Sequence, residues 1–157
     1  LRVGVGINTG SAVVGNLGAP QFYDYTAIGD TVNLANRLQG LTREFGVDIV
    51  VGEATYKAAR EQFLFRCLGV TSVKGRQKAT RIYQLLTHME EADETLRSLV
   101  ADYESALSAF QNGEVKEALY AFEALSRRFP NDTPTRVMLQ RCHNLIRHAQ
   151  CAPPPED

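Results

Sequence analysis

The 157-residue sequence has no tryptophan, only three cysteines and three histidines, and charges that nearly cancel at a formal −1. Cys67, Cys142 and Cys151 are odd in number and lack C-x-x-C spacing. Neither a disulfide framework nor a structural zinc site is therefore expected, and a reducing compartment fits better. His143 and His148 stand five apart, which does not place them on one helical face, so the histidines read as ordinary helix residues rather than a metal set. The balanced charge lacks the basic footprint of a nucleic-acid binder, so no nucleic-acid partner is expected. No apolar run approaches the roughly 20 residues that cross a bilayer, and no charged-then-apolar leader opens the chain. The expected location is cytoplasmic, either free or as the cytoplasmic part of a membrane-anchored protein.

What is present is ordinary globular material, 44% hydrophobic and 22% charged, which argues against disorder. It suffices for one domain, or for a truncated domain with a small appendage. The chain opens on Leu-Arg-Val-Gly-Val-Gly-Ile-Asn, an apolar β-type run with no lead-in, and residue 1 is expected to be an interior position of a longer protein. Residues 1–8 predict a strand, Thr9-Gly10 a turn, and residues 12–14 a second short strand. The Gly15-to-Pro20 run predicts a break, and residues 22–28 a third extended segment. A helix comes next, capped by Asp30 or Thr31, with Val32, Leu34, Ala35, Leu38 and Leu41 as its core stripe. Residues 46–51 predict a strand, 53–62 a helix, and 63–73 and 80–86 two strands around the charged loop 74–78. Such mixing indicates an α+β or α/β domain. Gly4-x-Gly6 and Gly15-x-x-Gly18 do not form a dinucleotide or phosphate loop, because the first pair sits inside a strand and no G-x-x-x-x-G-K-[ST] occurs.

Asn33 and Arg37 are four apart on the predicted helix and off its apolar stripe, so both project from one face. An amide beside a permanently charged, forked guanidinium suits a ribose and phosphate oxygens. Taken alone, such a pair is usually just a solvated helix face. Its surroundings change that weighting. The run G-I-N-T-G-S-A-V-V-G-N-L-G, then Y-T-A-I-G-D-T-V-N-L-A-N-R-L, then V-K-G-R after a strand, resembles the second half of class III adenylyl and guanylyl cyclase catalytic domains, of the bacterial adenylate cyclase type. The resemblance implies a truncated ferredoxin-like α+β fold whose active site forms between two domains of a dimer. A homodimer is expected, with ATP as substrate.

By that resemblance Asn33 orients the ribose, and Arg37 binds the α-phosphate as the 3′-hydroxyl attacks it and pyrophosphate leaves. Thr26 falls at the purine-reading position, which in adenylyl cyclases holds Asp or Thr and in guanylyl cyclases often Cys. Its hydroxyl can accept from the adenine amine. Lys74 matches the lysine that meets the terminal phosphates, with a hairpin-loop solubility lysine as the plain alternative. Asp30 is expected to cap the helix rather than bind metal. The family also uses two Mg²⁺ or Mn²⁺ ions on two aspartates. These aspartates belong to the first half of the domain, so their positions are expected upstream of residue 1 and no metal ligand is assigned here. The implied activity, ATP to cyclic AMP for intracellular signalling, thus belongs to the complete dimer, and the fragment is expected to be inactive alone. The alternative is a catalytically inactive cyclase-like module that binds nucleotide or another protein.

From about Glu90 the sequence turns helical. Residues 99–132 resemble one tetratricopeptide unit, with Ala118 and Phe122 followed by Pro130 at that repeat's spacing, but without its preferred Trp and Tyr. Leu99, Tyr103, Ala106, Leu107 and Phe110 are expected to pack on Val115, Leu119, Phe122 and Leu125, with a third helix running from Pro134 through Ile146. The tail is expected to cap or help dimerise the cyclase domain, or to dock a protein partner. The expected division is 1–86 cyclase half-domain, 87–98 linker, 99–149 tetratricopeptide-like helices and 150–157 disordered tail.

Overall fold

The alternation of the first few residues decides where the first helix lies in the computed structural model, which describes residues 3–18, 24–72 and 79–151. In and around strand β1 (Val5–Ile7), Gly4, Gly6 and Asn8 are half-buried while Val3, Val5 and Ile7 are exposed. Successive side chains point to opposite faces, so one face carries two glycines and an amide. Helix α1 (Asp30–Phe45) lies against that face. It comes so close that a Cβ on Gly6 would collide with the backbone of Ala35 and Gln39, and one on Gly4 with Thr42. The glycines of β1 are therefore a seat for a helix.

β1 pairs in parallel with β4 (Ile49–Gly52). β4 pairs antiparallel with β6 (Ala79–His88), and β6 with β5 (Phe63–Ser72), giving a sheet of order β1-β4-β6-β5. Leu38, Phe45, Val47 and Val50 are buried on or near the α1 side. The opposite face holds Val51, Phe65 and Tyr83, onto which helix α2 (Glu53–Ala59) packs Tyr56 and Ala59. Tyr56 stacks on Tyr83 with ring centroids 3.9 Å apart. Burial pushes the Tyr83 phenol above its ordinary value, with the Cys67 thiol adding to the rise and Arg81 opposing it. Arg66 on β5 is only 1% exposed, and its guanidinium donates from Nε and an Nη to Gln84 Oε1, at 3.1 and 2.6 Å, across the β5–β6 pair. Strands β2 (Val13–Leu17) and β3 (Asp24–Ile28) form a separate antiparallel pair. The α+β class read from the sequence is what the structure has.

Three local expectations need correction. Gly15, Asn16 and Leu17 do not break the chain but continue β2, because their backbone groups find partners along β3 out to Leu17 opposite Asp24. α1 is not capped by Asp30 or Thr31. Its N-cap is Gly29, at φ 137°, whose carbonyl accepts from Val32 and Asn33 N–H, and Asp30 is already the first helical residue. There its carboxylate complements the helix dipole instead. The strand expected from residue 46 starts at Ile49, since Gly46 closes α1 in the left-handed conformation at φ 66°.

The chain divides into units at Glu91/Ala92. Residues 87–98 hold the end of β6, a 3-10 turn (Met89–Glu91) and the start of helix α3 (Glu94–Gln111). The second unit is helical, with α4 (Val115–Arg128) packing on both α3 and α5 (Thr133–Cys151). Asp93 caps α3 by accepting from Leu96 N–H at 2.7 Å, and Asp132 accepts from Thr135 N–H at the start of α5. Leu99, Tyr103, Ala106 and Leu107 are buried with Ala118, Phe122 and Leu125, whereas Phe110, Val115 and Leu119 are half-buried. Tyr103 meets Phe122 edge-on at 5.4 Å.

From α5 come Met138 and Cys142, the latter with no exposed surface. Burial raises the Cys142 thiol above its ordinary pKa. The raised folded value means its contribution to stability is whole below the ordinary thiol range, about pH 8.5, and is lost as pH climbs through the folded value. In iodoacetamide labelling at pH 8, read by peptide mass spectrometry, half-buried Cys67 should react before Cys142, and Cys142 only as fast as the helices open. Equal rates at the two positions would contradict this packing.

Candidate nucleotide site on the β3–α1 segment

β3 runs into α1 through Gly29 alone, so Thr26, Asn33 and Arg37 lie on one continuous stretch of hydrogen-bonded backbone. Thr26 is an exposed β3 residue whose register partner is Gly15. Asn33 and Arg37 are both exposed, one turn apart on the side of α1 away from buried Leu38 and Thr42. Neither side chain has a hydrogen-bond or ion-pair partner among the described residues. Their donors face solvent while the neighbouring helix positions are committed to the sheet. Such an exposed amide–guanidinium pair can receive an anion without first breaking an internal contact. Lys74 lies outside the described residues.

The first turn of α1 is held from below by Asn8, whose Nδ2 donates to the Thr31 carbonyl at 3.1 Å. Its Oδ1 occupies the space where a Cβ on Gly52 would stand. Asn8 thus ties the end of β1 to the helix that carries Asn33 and Arg37, and lies close against the end of β4. In the sequence Asn8 stands out only as part of a motif. The signal that could have singled it out is the same-face spacing of Gly4, Gly6 and Asn8 in a strand. A cavity of about 680 Å³ opens beside this turn, lined by Asn8, Thr9, Ser11, Asp30, Thr31 and Thr80 among others. Thr26, Asn33 and Arg37, all exposed, are not among the residues that line it.

No group of three His, Cys, Asp or Glu side chains suited to a metal ion occurs among the described residues. The donor set on this surface, a hydroxyl, an amide and a guanidinium, is also chemically wrong for a divalent cation. The described residues do not fit the two metals of the family.

Residues 1–87 match the family model of the adenylate and guanylate cyclase catalytic domain. The chain belongs to that family. This cyclase chain is 32% identical over 151 residues to the terminal-differentiation-specific adenylate cyclase of Dictyostelium discoideum, covering 94% of this chain and 7% of that protein. Adenylate cyclase 1 of Rhizobium meliloti is 41% identical over 85 residues, covering 54% of this chain and 13% of its own length. The adenylyl cyclase CyaB from P. aeruginosa is a similar solved structure at 35% identity and TM-score 0.47, with 56% of this chain and 44% of that chain covered. The cyclase chain thus spans a small part of the curated relatives it matches. No described helix is long and apolar enough to cross a membrane.

Proposed function

We propose that this chain is the nucleotide-binding half of an adenylate cyclase catalytic domain, working in the complete protein as a dimer to convert ATP into cyclic AMP and pyrophosphate in the cytoplasm. The observation that carries it is the exposed pair Asn33 and Arg37 on α1, with no partner among the described residues, in a chain of the cyclase family. The relatives named as adenylate cyclases support ATP as the substrate.

In this scheme the 3′-oxygen of ATP bonds to the α-phosphorus, the bond to the β-phosphate oxygen breaks, and the hydroxyl proton leaves to solvent or a base. Asn33 holds the ribose so that the 3′-oxygen is in line. Arg37 takes the α-phosphate oxygens, on which charge builds during attack. Thr26 accepts from the exocyclic amine of adenine, and Lys74 holds the terminal phosphates. The described residues supply no cluster of ligands for the divalent ions, which in the complete protein would activate the 3′-hydroxyl and neutralise the leaving phosphates.

Dimerisation fits the exposed apolar surface of the β2–β3 pair, where Val13 is 68% and Val14 55% exposed, and of β1 at Val5 and Ile7. Apolar side chains grouped on small strands in this way gain most by being covered. The helical unit is tetratricopeptide-like in its Ala118, Phe122 and Pro130 spacing and serves as a protein-docking element.

The test is a product assay on the complete protein with Mg²⁺ or Mn²⁺. ATP should yield cyclic AMP, and GTP little cyclic GMP. Thr26→Val, which keeps shape but removes the acceptor, should lower kcat/KM for ATP about 10-fold, one hydrogen bond's discrimination. Cyclic GMP as the main product would reject the role of Thr26. Nucleotide binding without any cyclic product would favour an inactive module.

A further inference from the structure

Glycine is costly in a strand or helix interior, so each one outside a turn needs a reason. Ten of the twelve glycines raise no question or lie outside the described residues, as Gly75 does. Gly18, Gly29, Gly46, Gly69 and Gly113 have positive φ. Gly4, Gly6, Gly10 and Gly52 have a neighbour where a Cβ would go. Gly15 and Gly40 have neither: φ is not positive, and a Cβ would meet nothing within 4 Å. Nothing in the described fold requires glycine at either position.

Both sit beside the candidate nucleotide contacts. Gly15 is the register partner of Thr26, so a side chain there would stand on the same face of the strand pair, next to Thr26. Gly40 is exposed on α1, three residues past Arg37 and seven past Asn33, which puts all three on one stripe. Helical side chains lean toward the N-terminus, so any side chain at 40 would fold back over the turn that carries Arg37.

We propose that Gly15 and Gly40 are clearance positions of the nucleotide site, kept bare so that the purine can reach Thr26 and the phosphates can reach Arg37. The proposal rests on the adenylate cyclase function above. It sets a size limit as well as a hydrogen-bonding rule for the substrate: an adenine edge fits over Gly15 only while that position has no side chain.

The test uses Gly15→Val and Gly40→Leu in the complete protein, with Arg37→Ala in parallel. Valine favours strands and leucine helices, so both variants should melt at or above the parent temperature and remain dimeric. KM for ATP should nevertheless rise at least ~10-fold, as expected for a misfit at a packed site, and in Gly40→Leu kcat should fall as well, because the α-phosphate is kept from Arg37. A merely structural glycine would give the reverse, a lower melting temperature with KM unmoved, and that overturns the proposal. So does loss of the dimer, which would assign the bare positions to contact between copies. If Arg37→Ala abolishes turnover while both glycine variants keep the parent KM, the clearance role falls and the cyclase function stands. If Arg37→Ala turns over normally, both fall.

Discussion

Arg37→Ala in the complete protein is expected to lower cyclic AMP formation by about 100- to 1000-fold, the usual loss when one fixed donor to a developing charge is removed. The loss should appear in kcat, with ATP binding nearly unchanged. Arg37 is exposed and has no partner in the described fold, so the substitution should leave the melting temperature close to the parent's. That combination is what separates a transition-state contact from a structural arginine. Arg66 is the internal comparison: buried at 1% exposure and bonded to Gln84, its removal should unfold the sheet rather than slow a chemical step. Turnover by Arg37→Ala within a few fold of the parent would reject the assigned role.

Gly6→Val should be the most damaging small substitution in the first unit. By strand propensity valine improves β1. By packing, its Cβ would enter the backbone of α1 at Ala35 and Gln39, atoms with no side-chain freedom to move away. Packing should win, because overfilling a tight contact costs about 3 kcal/mol while propensity is worth no more than ~1. The unfolding midpoint should fall by roughly 10–20 °C. Displacing α1 also displaces Asn33 and Arg37, so residual folded protein should lose activity as well. A stabilised Gly6→Val variant would show that α1 does not sit on β1 as described.

The contrast between Gly6 and Gly15 shows where the sequence was legible and where it was not. The helices were readable because Ala, Leu and aromatic residues recur at a period near 3.6. α3 and α4 accordingly bury Leu99, Tyr103, Phe122 and Leu125, as their spacing predicts. The face shared by Asn33 and Arg37 came from the same period. Glycine carried no such information. As a local signal Gly15 marks a break, yet β3 supplies the partners that keep β2 running through it. Gly29 likewise took the capping place assigned to Asp30 or Thr31, because the chain turns from β3 into α1 through a φ of 137° that suits glycine. The buried Arg66 left no local trace either, since its partner Gln84 is brought opposite only by the β5–β6 register. Each of these features depends on a neighbour distant in sequence.

The passage from β3 to α1 through one residue has a mechanical consequence. On the proposed roles, base and α-phosphate are gripped by two jaws of a caliper, a strand and a helix, joined at Gly29. No loop lies between the jaws to absorb error, so their span is fixed by a single pair of backbone torsions. A ligand of the wrong length cannot be accommodated by local slack. Equally, anything that turns the β2–β3 pair by a few degrees changes the grip on both ends of the nucleotide at once. Control of such a site would require no contact with the nucleotide at all, only leverage on the hairpin.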